Sequence, residues 1–311
     1  MRVSPLIAVL AAGMGLILNP AHAADLPRDS GPAIWRVQSG ESTVYIFGSI
    51  HVLPVGFSWT TPLIEQAMAR SDLFVFEVPV GEAAIAEERG FIRQNGILPP
   101  RRSLRRLLSS NEFEVYSSVM RRAGLIEAQY ERYRPWLASL VLGLAYLHPD
   151  NLTTLKGADD EIMAFARNES RAVMYFETPT QQLQLLTNAT DEAQLAGLKN
   201  LIDRLPSSQN LERDLRDAWS QGDAEGLNAQ LDAIFRSRPD ARDFLVSRRN
   251  RTWLGTINPL LQRPGATMIT VGAAHIGGKI GLLALICSEG YRVERLLDKG
   301  GVADACHTAA Q

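Results

Sequence analysis

The chain has 311 residues, of which 46% are hydrophobic and 21% charged, with a formal net charge of −2. That length can bury a sizeable core, as one large domain or two small ones, without covalent staples. The near-neutral balance gives no electrostatic footprint for nucleic acid, which is excluded as a partner class. Two cysteines, with no second pair and no His-x-x-x-His beside them, exclude a zinc site built on thiolates.

Residues 1–23 have the layout of a secretory signal peptide. Arg2 is the basic start, 6–18 is an unbroken apolar or glycine run, and Ala21-His22-Ala23 is a small-x-small cleavage site. The run falls short of the ~20 apolar residues that a membrane span needs, and the later apolar stretch 137–147 is shorter still. The expectation is a cleaved leader and a secreted, periplasmic protein over 24–311 with no membrane span after signal removal. In an oxidising compartment Cys287 and Cys306 pair most simply as a disulfide, pinning the tail to the last helix.

Segments 34–37 and 43–47 flank Gln38-Ser39-Gly40-Glu41-Ser42 and read as a β-hairpin. The second arm runs Val-Tyr-Ile-Phe into Gly48-Ser49-Ile50-His51. Pro62 suits the first turn of a helix. Residues 73–76 are apolar throughout, as in a central parallel strand covered on both faces. They end on Glu77, and Pro79 forbids simple continuation. From about 83 to 263 the chain is mostly helical, with predicted helices at 103–109, 112–122, 135–147, 160–166, 191–205, 211–221, 225–235 and 240–261. A strand at 171–176 interrupts this section and ends on Glu177. Thr178-Pro179 then reads as an N-cap and first helical residue. A strand at 267–271 leads into Gly272-Ala273-Ala274-His275. An apolar helix at 278–287 and a strand at 291–296 follow. The fold class is therefore α/β (α+β): a central mixed, partly parallel sheet from the N- and C-terminal segments, with a large mostly helical middle section. Gly48 and Gly272 fit turns with positive φ.

Four predicted strands end on ionisable side chains: His51, Glu77, Glu177 and His275. Ligands of open α/β sheets bind beyond the carboxyl ends of the strands, so parallel neighbours would bring these groups to one edge. Two imidazoles and a carboxylate are ligands for a divalent metal of the zinc, manganese or cobalt class. Such an ion activates water and polarises a carbonyl. The candidate ligands are His51, His275 and Glu77, with Glu177 as a further ligand or general base. Without a metal, a histidine titrating near neutrality can still act on water, and a carboxylate in an apolar setting can serve as an acid. Arg249 can clamp a carboxylate or stabilise an oxyanion; crowded by Arg248 and Arg251, it reads equally well as part of a solvated basic face. Arg101, Arg102, Arg105 and Arg106 read as a charged helix face, with no interleaved aromatics to bind nucleic acid. His148 and His307 lack strand context, and Phe244 and Trp253 read as core.

These motifs resemble those of the TraB/GumN family, to which the Tiki metalloproteases are related. The likeness is carried by Phe47-Gly48-Ser49-Ile50-His51 and Val271-Gly272-Ala273-Ala274-His275. Glu77 follows the second strand as in the family, and Gly157-Ala158-Asp159, Glu177-Thr178 with Gln181, and Arg249-Asn250 are weaker landmarks. It extends over about 34–297. What the resemblance implies is an erythromycin-esterase-like core, a site at His51, Glu77 and His275, and metal-dependent peptidase activity as in the Tiki branch. The expected function is an exported metal-dependent hydrolase acting on peptides or proteins. The alternatives are a metal-independent esterase-like hydrolase and a non-catalytic protein that binds a peptide, haem or metal.

Overall fold

The computed structural model describes residues 31–54, 56–122, 124–147, 156–205, 210–236 and 239–306. The expected leader, His148 and His307 lie outside them. In chain order the elements are β1 (Ile34–Ser39), β2 (Ser42–Ser49), α1 (Pro62–Arg70), β3 (Leu73–Phe76), α2 (Glu82–Asn95), α3 (Leu104–Leu107), α4 (Ser110–Arg122), α5 (Pro135–Leu147), α6 (Ala158–Asn168), β4 (Ala172–Tyr175) and α7 (Pro179–Thr187). Then come α8 (Asp191–Arg204), α9 (Leu211–Ser220), α10 (Ala224–Phe235), α11 (Pro239–Arg242), α12 (Arg248–Leu260), β5 (Gly265–Gly272), α13 (Leu282–Ser288), β6 (Val293–Leu296) and β7 (Val302–Asp304).

The strands form one seven-stranded mixed sheet in the order β4-β3-β5-β2-β1-β6-β7. β4, β3, β5 and β2 are mutually parallel neighbours, while β1 runs antiparallel to both β2 and β6. The parallel block is thus made of the four strands that end in the candidate site residues. Its register aligns Phe76 with Thr270 and Ser49 with Gly272, so the strands finish on a common edge. β3, β5 and β2 are buried on both faces over most of their length, which is why they are apolar without alternation, whereas the edge strand β4 leaves Ala172 and Met174 exposed. On one face Val44, Ile46, Val75, Ile269 and Val271 share a core with Trp253 and Ile257 of α12 and Leu283 and Ile286 of α13. On the other, Phe74 meets Phe165 of α6 and Phe47 meets Trp59, with ring centroids 6.0 and 5.5 Å apart.

The chain divides into two compact units. Among the described residues, the sheet unit takes 31–77, Lys156–Phe176 and Arg213 to Cys306. The helical unit takes Val78 to Leu147 and Glu177–Glu212, so the helical middle section expected at 83–263 is shared between the two. Within the helical unit the apolar α5 packs against α4 and α8. Trp136 at its start donates to Asn95 O at 3.0 Å. The basic segment expected as a helix over 103–109 is helical only in α3, because Leu108 is extended. Two of its arginines are engaged locally: Arg105 lies 4.9 Å above the Phe113 ring and Arg106 donates to Arg101 O.

Three further differences from the sequence reading bear on the site. The helix expected over 240–261 is interrupted by a π-helical turn at Asp243–Ser247. The helix expected to begin at 278 begins at Leu282, because Gly278 stands at φ +76, a left-handed conformation that ends any helix. β7 was not foreseen; it is short and half-exposed, and it leads into Cys306, which is paired with Cys287 of α13 at disulfide distance, Cα–Cα 5.7 Å.

A candidate active site at the ends of the parallel strands

β2 leaves the sheet after Ser49, and the carbonyl of Gly48 accepts from the Trp219 indole at 2.7 Å. The next residues are laced to the segment before α6: Ala158 N–H donates to Ile50 O and Leu53 N–H to Lys156 O, both at 2.9 Å. This lacing holds His51 against Gly157, where a side chain would come within 2.4 Å of the His51 backbone. Glycine is required there by close approach. One turn further, at the start of α6, Asp159 Oδ2 lies 3.1 Å from His51 Nδ1. The ring's other nitrogen, Nε2, faces Glu77 Oε1 at 4.0 Å.

Glu77, the residue after β3, is buried. Its Oε1 accepts from Gly272 N–H at 2.6 Å and its Oε2 from Arg249 Nη2 at 2.5 Å. Neither glycine of the two Gly-x-x-His segments has positive φ, contrary to expectation. What Gly272 supplies is space: a Cβ there would stand 2.8 Å from His51 Nε2 and 3.2 Å from Glu77 Oε1. The chain then makes a tight 3₁₀ turn over Ala273–His275 and places the buried His275 ring with Nε2 3.9 Å from Glu77 Oε1.

The remaining groups come from α12. The π-helical turn adds a residue to the preceding turn, a device common at functional sites, and the consecutive Arg249 and Asn250 both face inward. Arg249 Nη1 donates to Leu245 O at 3.1 Å and lies 3.0 Å from His275 Nε2. Asn250 Oδ1 is 2.6 Å from His275 Nδ1. Trp253 lies beneath both, with its ring 4.6 Å from the Arg249 guanidinium carbon and 4.4 Å from the imidazole. Arg249 is therefore no part of a solvated face; Arg248 and Arg251 are exposed and pair with Asp243. Trp253 is core, as expected, and also a wall of the site.

The surroundings favour opposite protonation states in the two histidines, the cation at His51 and the neutral ring at His275. Burial alone would lower His51, but the Asp159 carboxylate and then Glu77 push it up to about 9. Burial dominates at His275 and, against the pull of Glu77 and with Arg249 alongside, pushes it down to about 3. Burial would raise Glu77, yet the Arg249 guanidinium and the Gly272 N–H hold it well below the usual carboxylate range. Asp160 accepts from Gly157 N–H at 3.0 Å, and burial and then Asp159 push it up to about 6.

Of the expected site residues, the structure gathers His51, Glu77, His275 and Arg249. Glu177, two residues after β4 in the chain, is half-buried and belongs to the helical unit. Asp159 and Asn250 entered only as weaker landmarks of the family resemblance and Gly272 only as a turn glycine; none was expected as a site residue. A second signal was present in the sequence: Arg249 and Asn250 occupy the inward stripe of α12 with Trp253, Ile257 and Leu260, where polar residues demand a partner.

The profile of the TraB/PrgY/gumN family matches residues 33–295. The chain belongs to this family. It is also 19% identical over 248 residues, 80% of its own length and 89% of the relative's, to the uncharacterized protein YbaP of Escherichia coli (strain K12). The YbaP of Shigella flexneri matches at the same identity and coverage. No solved structure matches the chain.

The donor set can be tested against the divalent metal expected from the family resemblance. Both imidazoles are tied at Nδ1 and turn Nε2 towards Glu77 Oε1, the usual posture of metal-binding histidines. Arg249, however, already holds His275 Nε2 and Glu77 Oε2. Among the described residues no three His, Cys, Asp or Glu groups are placed to grip one ion. As arranged, the three expected ligands do not fit a metal.

Proposed function

We propose that this TraB/PrgY/gumN-family protein is an exported hydrolase of carbonyl compounds, with peptides as the substrate class, and that its reaction centre lies between His51 and Glu77. The observation that carries this reading is the 4.0 Å gap between a carboxylate-backed imidazole and an ionised glutamate. Both have their other polar atoms tied, and the imidazole is on the partly exposed side. His51, charged near neutral pH, is the proton donor to the carbonyl oxygen or leaving group. Asp159 orients its ring and stabilises its charge. Glu77 Oε1 orients the attacking water and takes its proton as it adds to the carbonyl, the proton returning to His51 after His51 has protonated the leaving group, and Arg249 keeps Glu77 ionised and fixed before the attack. Export is supported by the signal-like residues 1–23 and by the Cys287–Cys306 pair, since disulfides persist in oxidising compartments. No helix among the described residues is long and apolar enough to cross a membrane.

A second reading puts a divalent cation at this centre. It is favoured by the shared posture of the two imidazoles and requires Arg249 to leave His275. One experiment separates the two. Purified protein is incubated with a panel of peptides and simple esters, before and after exhaustive chelation, and its metal content is compared with that of His51→Ala and His275→Ala. The first reading expects turnover that survives chelation. Turnover lost on chelation and restored by one added metal, with metal content falling in both variants, would replace it with the second. Intact ligand recovered on denaturation, with no product from any substrate, would point instead to a binding protein.

A further inference from the structure

Asn250 is fully buried, and each of its polar atoms faces a partner of fixed character. Its Nδ2 group lies 3.1 Å from His275 O and 2.8 Å from Ile280 O. Backbone carbonyls only accept, so the amide cannot be inverted: a flipped Asn250 would set its oxygen against both of them. Oδ1 therefore faces His275 Nδ1 at 2.6 Å and must accept from it. At the other end of the ring, Nε2 lies 3.0 Å from Arg249 Nη1, and a guanidinium only donates. One proton placement satisfies both ends of a neutral imidazole, with the hydrogen on Nδ1 and the lone pair on Nε2. The other tautomer would set lone pair against lone pair at Asn250 and N–H against N–H at Arg249.

We propose that Asn250 is the positioning residue of this centre, fixing His275 as the Nδ1–H tautomer so that His275 holds one arm of Arg249 and leaves the other for Glu77. The relay runs from Asn250 through His275 and Arg249 to Glu77 Oε2, the oxygen turned away from His51. The same side chain grips the ring, the backbone of His275 and, at Ile280, the loop that leaves it. Consecutive placement of Arg249 and Asn250 on α12 holds these two members of the relay rigid with respect to each other. The proposal needs the hydrolase reading only for its kinetic arm.

The test uses the full chain carrying isotopically labelled histidine, with the His275 ring signals assigned by their loss in His275→Gln. Nitrogen shifts report which ring nitrogen holds the proton. Wild type is expected to be protonated at Nδ1 and bare at Nε2. Asn250→Ala is expected to populate the Nε2–H form, while His51→Gln leaves the His275 tautomer untouched. Asn250→Asp keeps an acceptor at Nδ1 and is expected to keep the proton there, although both amide donors are gone. On any substrate turned over by wild type, Asn250→Ala should lose about 10–100-fold in kcat with KM little changed, as for other residues that orient a reacting group through a neighbour. A wild-type proton on Nε2, or a folded Asn250→Ala with the wild-type tautomer, overturns the proposal. Should the alanine variant not fold, the wild-type spectrum and the aspartate variant still decide it. Absence of any hydrolysis would remove the hydrolase reading and leave the tautomer result standing; a proton on Nε2 would do the reverse.

Discussion

His51 and His275 each stand three residues past a glycine among the last two residues of a parallel strand, and each turns Nε2 towards Glu77 Oε1, at 4.0 and 3.9 Å. Their surroundings then diverge. His51 has a carboxylate at Nδ1, and its side chain is 22% exposed. His275 has an amide at Nδ1, a guanidinium at Nε2, and 5% exposure. The first is pushed up to about 9 and the second down to about 3. The same short motif thus yields a partly exposed imidazole favoured in its charged form on one side of Glu77 and a buried one favoured neutral on the other. What a Gly-x-x-His segment does is set by the partner of its Nδ1, and that partner comes from a distant helix: α6 for His51, α12 for His275.

The locked side should be the more costly to disturb. Arg249→Met leaves Glu77 buried without its cation and is expected to cost about 3–5 kcal/mol, the usual penalty for breaking one half of a buried pair. Urea unfolding measures it, and a loss well under that range would mean that Glu77 does not depend on Arg249. Next in size is the brace behind the same side. Cys287 and Cys306 pack on the core shared by α12 and α13, and their loop spans 19 residues. Replacing both with serine should cost about 3 kcal/mol, while the His51 ring signals stay as in wild type.

Gly272→Ala probes the reachable side. The added methyl points at His51 Nε2 and Glu77 Oε1; overpacking of this kind costs about 1–3 kcal/mol. The His51–Glu77 distance should grow and the Arg249–His275 contact should persist in a crystal structure. Displacement of Arg249 instead would break the division into two sides.

The pH dependence of stability should also separate the two sides, because its sign differs between the two rings. His51 has its folded pKa raised from 6.5 to about 9. Its contribution is fully present below about 6.5 and is lost as pH rises through 9. His275 has its folded pKa lowered from 6.5 to about 3, so its penalty grows as pH falls from about 6.5 towards 3. Asp160, raised to about 6, acts against His275 in part of that acid range, so each ring is read by difference. His51→Gln should flatten the alkaline limb of the stability curve and His275→Gln the acid limb. An unchanged alkaline limb in His51→Gln would remove the charge assigned to His51.

Much of this was legible in the sequence because it is local. Apolar runs ending on His51, Glu77 and His275 gave both the parallel block and the edge where the site lies, since a strand covered on both faces must be apolar until it reaches its functional end. The hairpin of β1 and β2 and the capped start of α7 at Thr178-Pro179 followed from turn and cap chemistry. What escaped is long-range or subtractive. Asp159 matters only because backbone bonds lace residues 156–158 to the His51 loop. Gly272 works by lacking a side chain that three-dimensional neighbours would strike, and a turn with positive φ was the wrong reason for its presence. The π-helical turn before Arg249 has no periodic signature, because it is a single extra residue within a continuous helical pattern. β7 is three residues long and carries no alternation to read.

The most direct test of the reaction centre is product formation from the peptide and ester panel by wild type, His51→Gln and Glu77→Gln at matched concentrations of folded protein. The expected result is turnover by wild type and a loss of about 10²–10⁴-fold in His51→Gln, with the thermal unfolding of that variant close to wild type. A His51→Gln protein as active as wild type, or a wild type that consumes no substrate, would contradict a hydrolytic centre between His51 and Glu77.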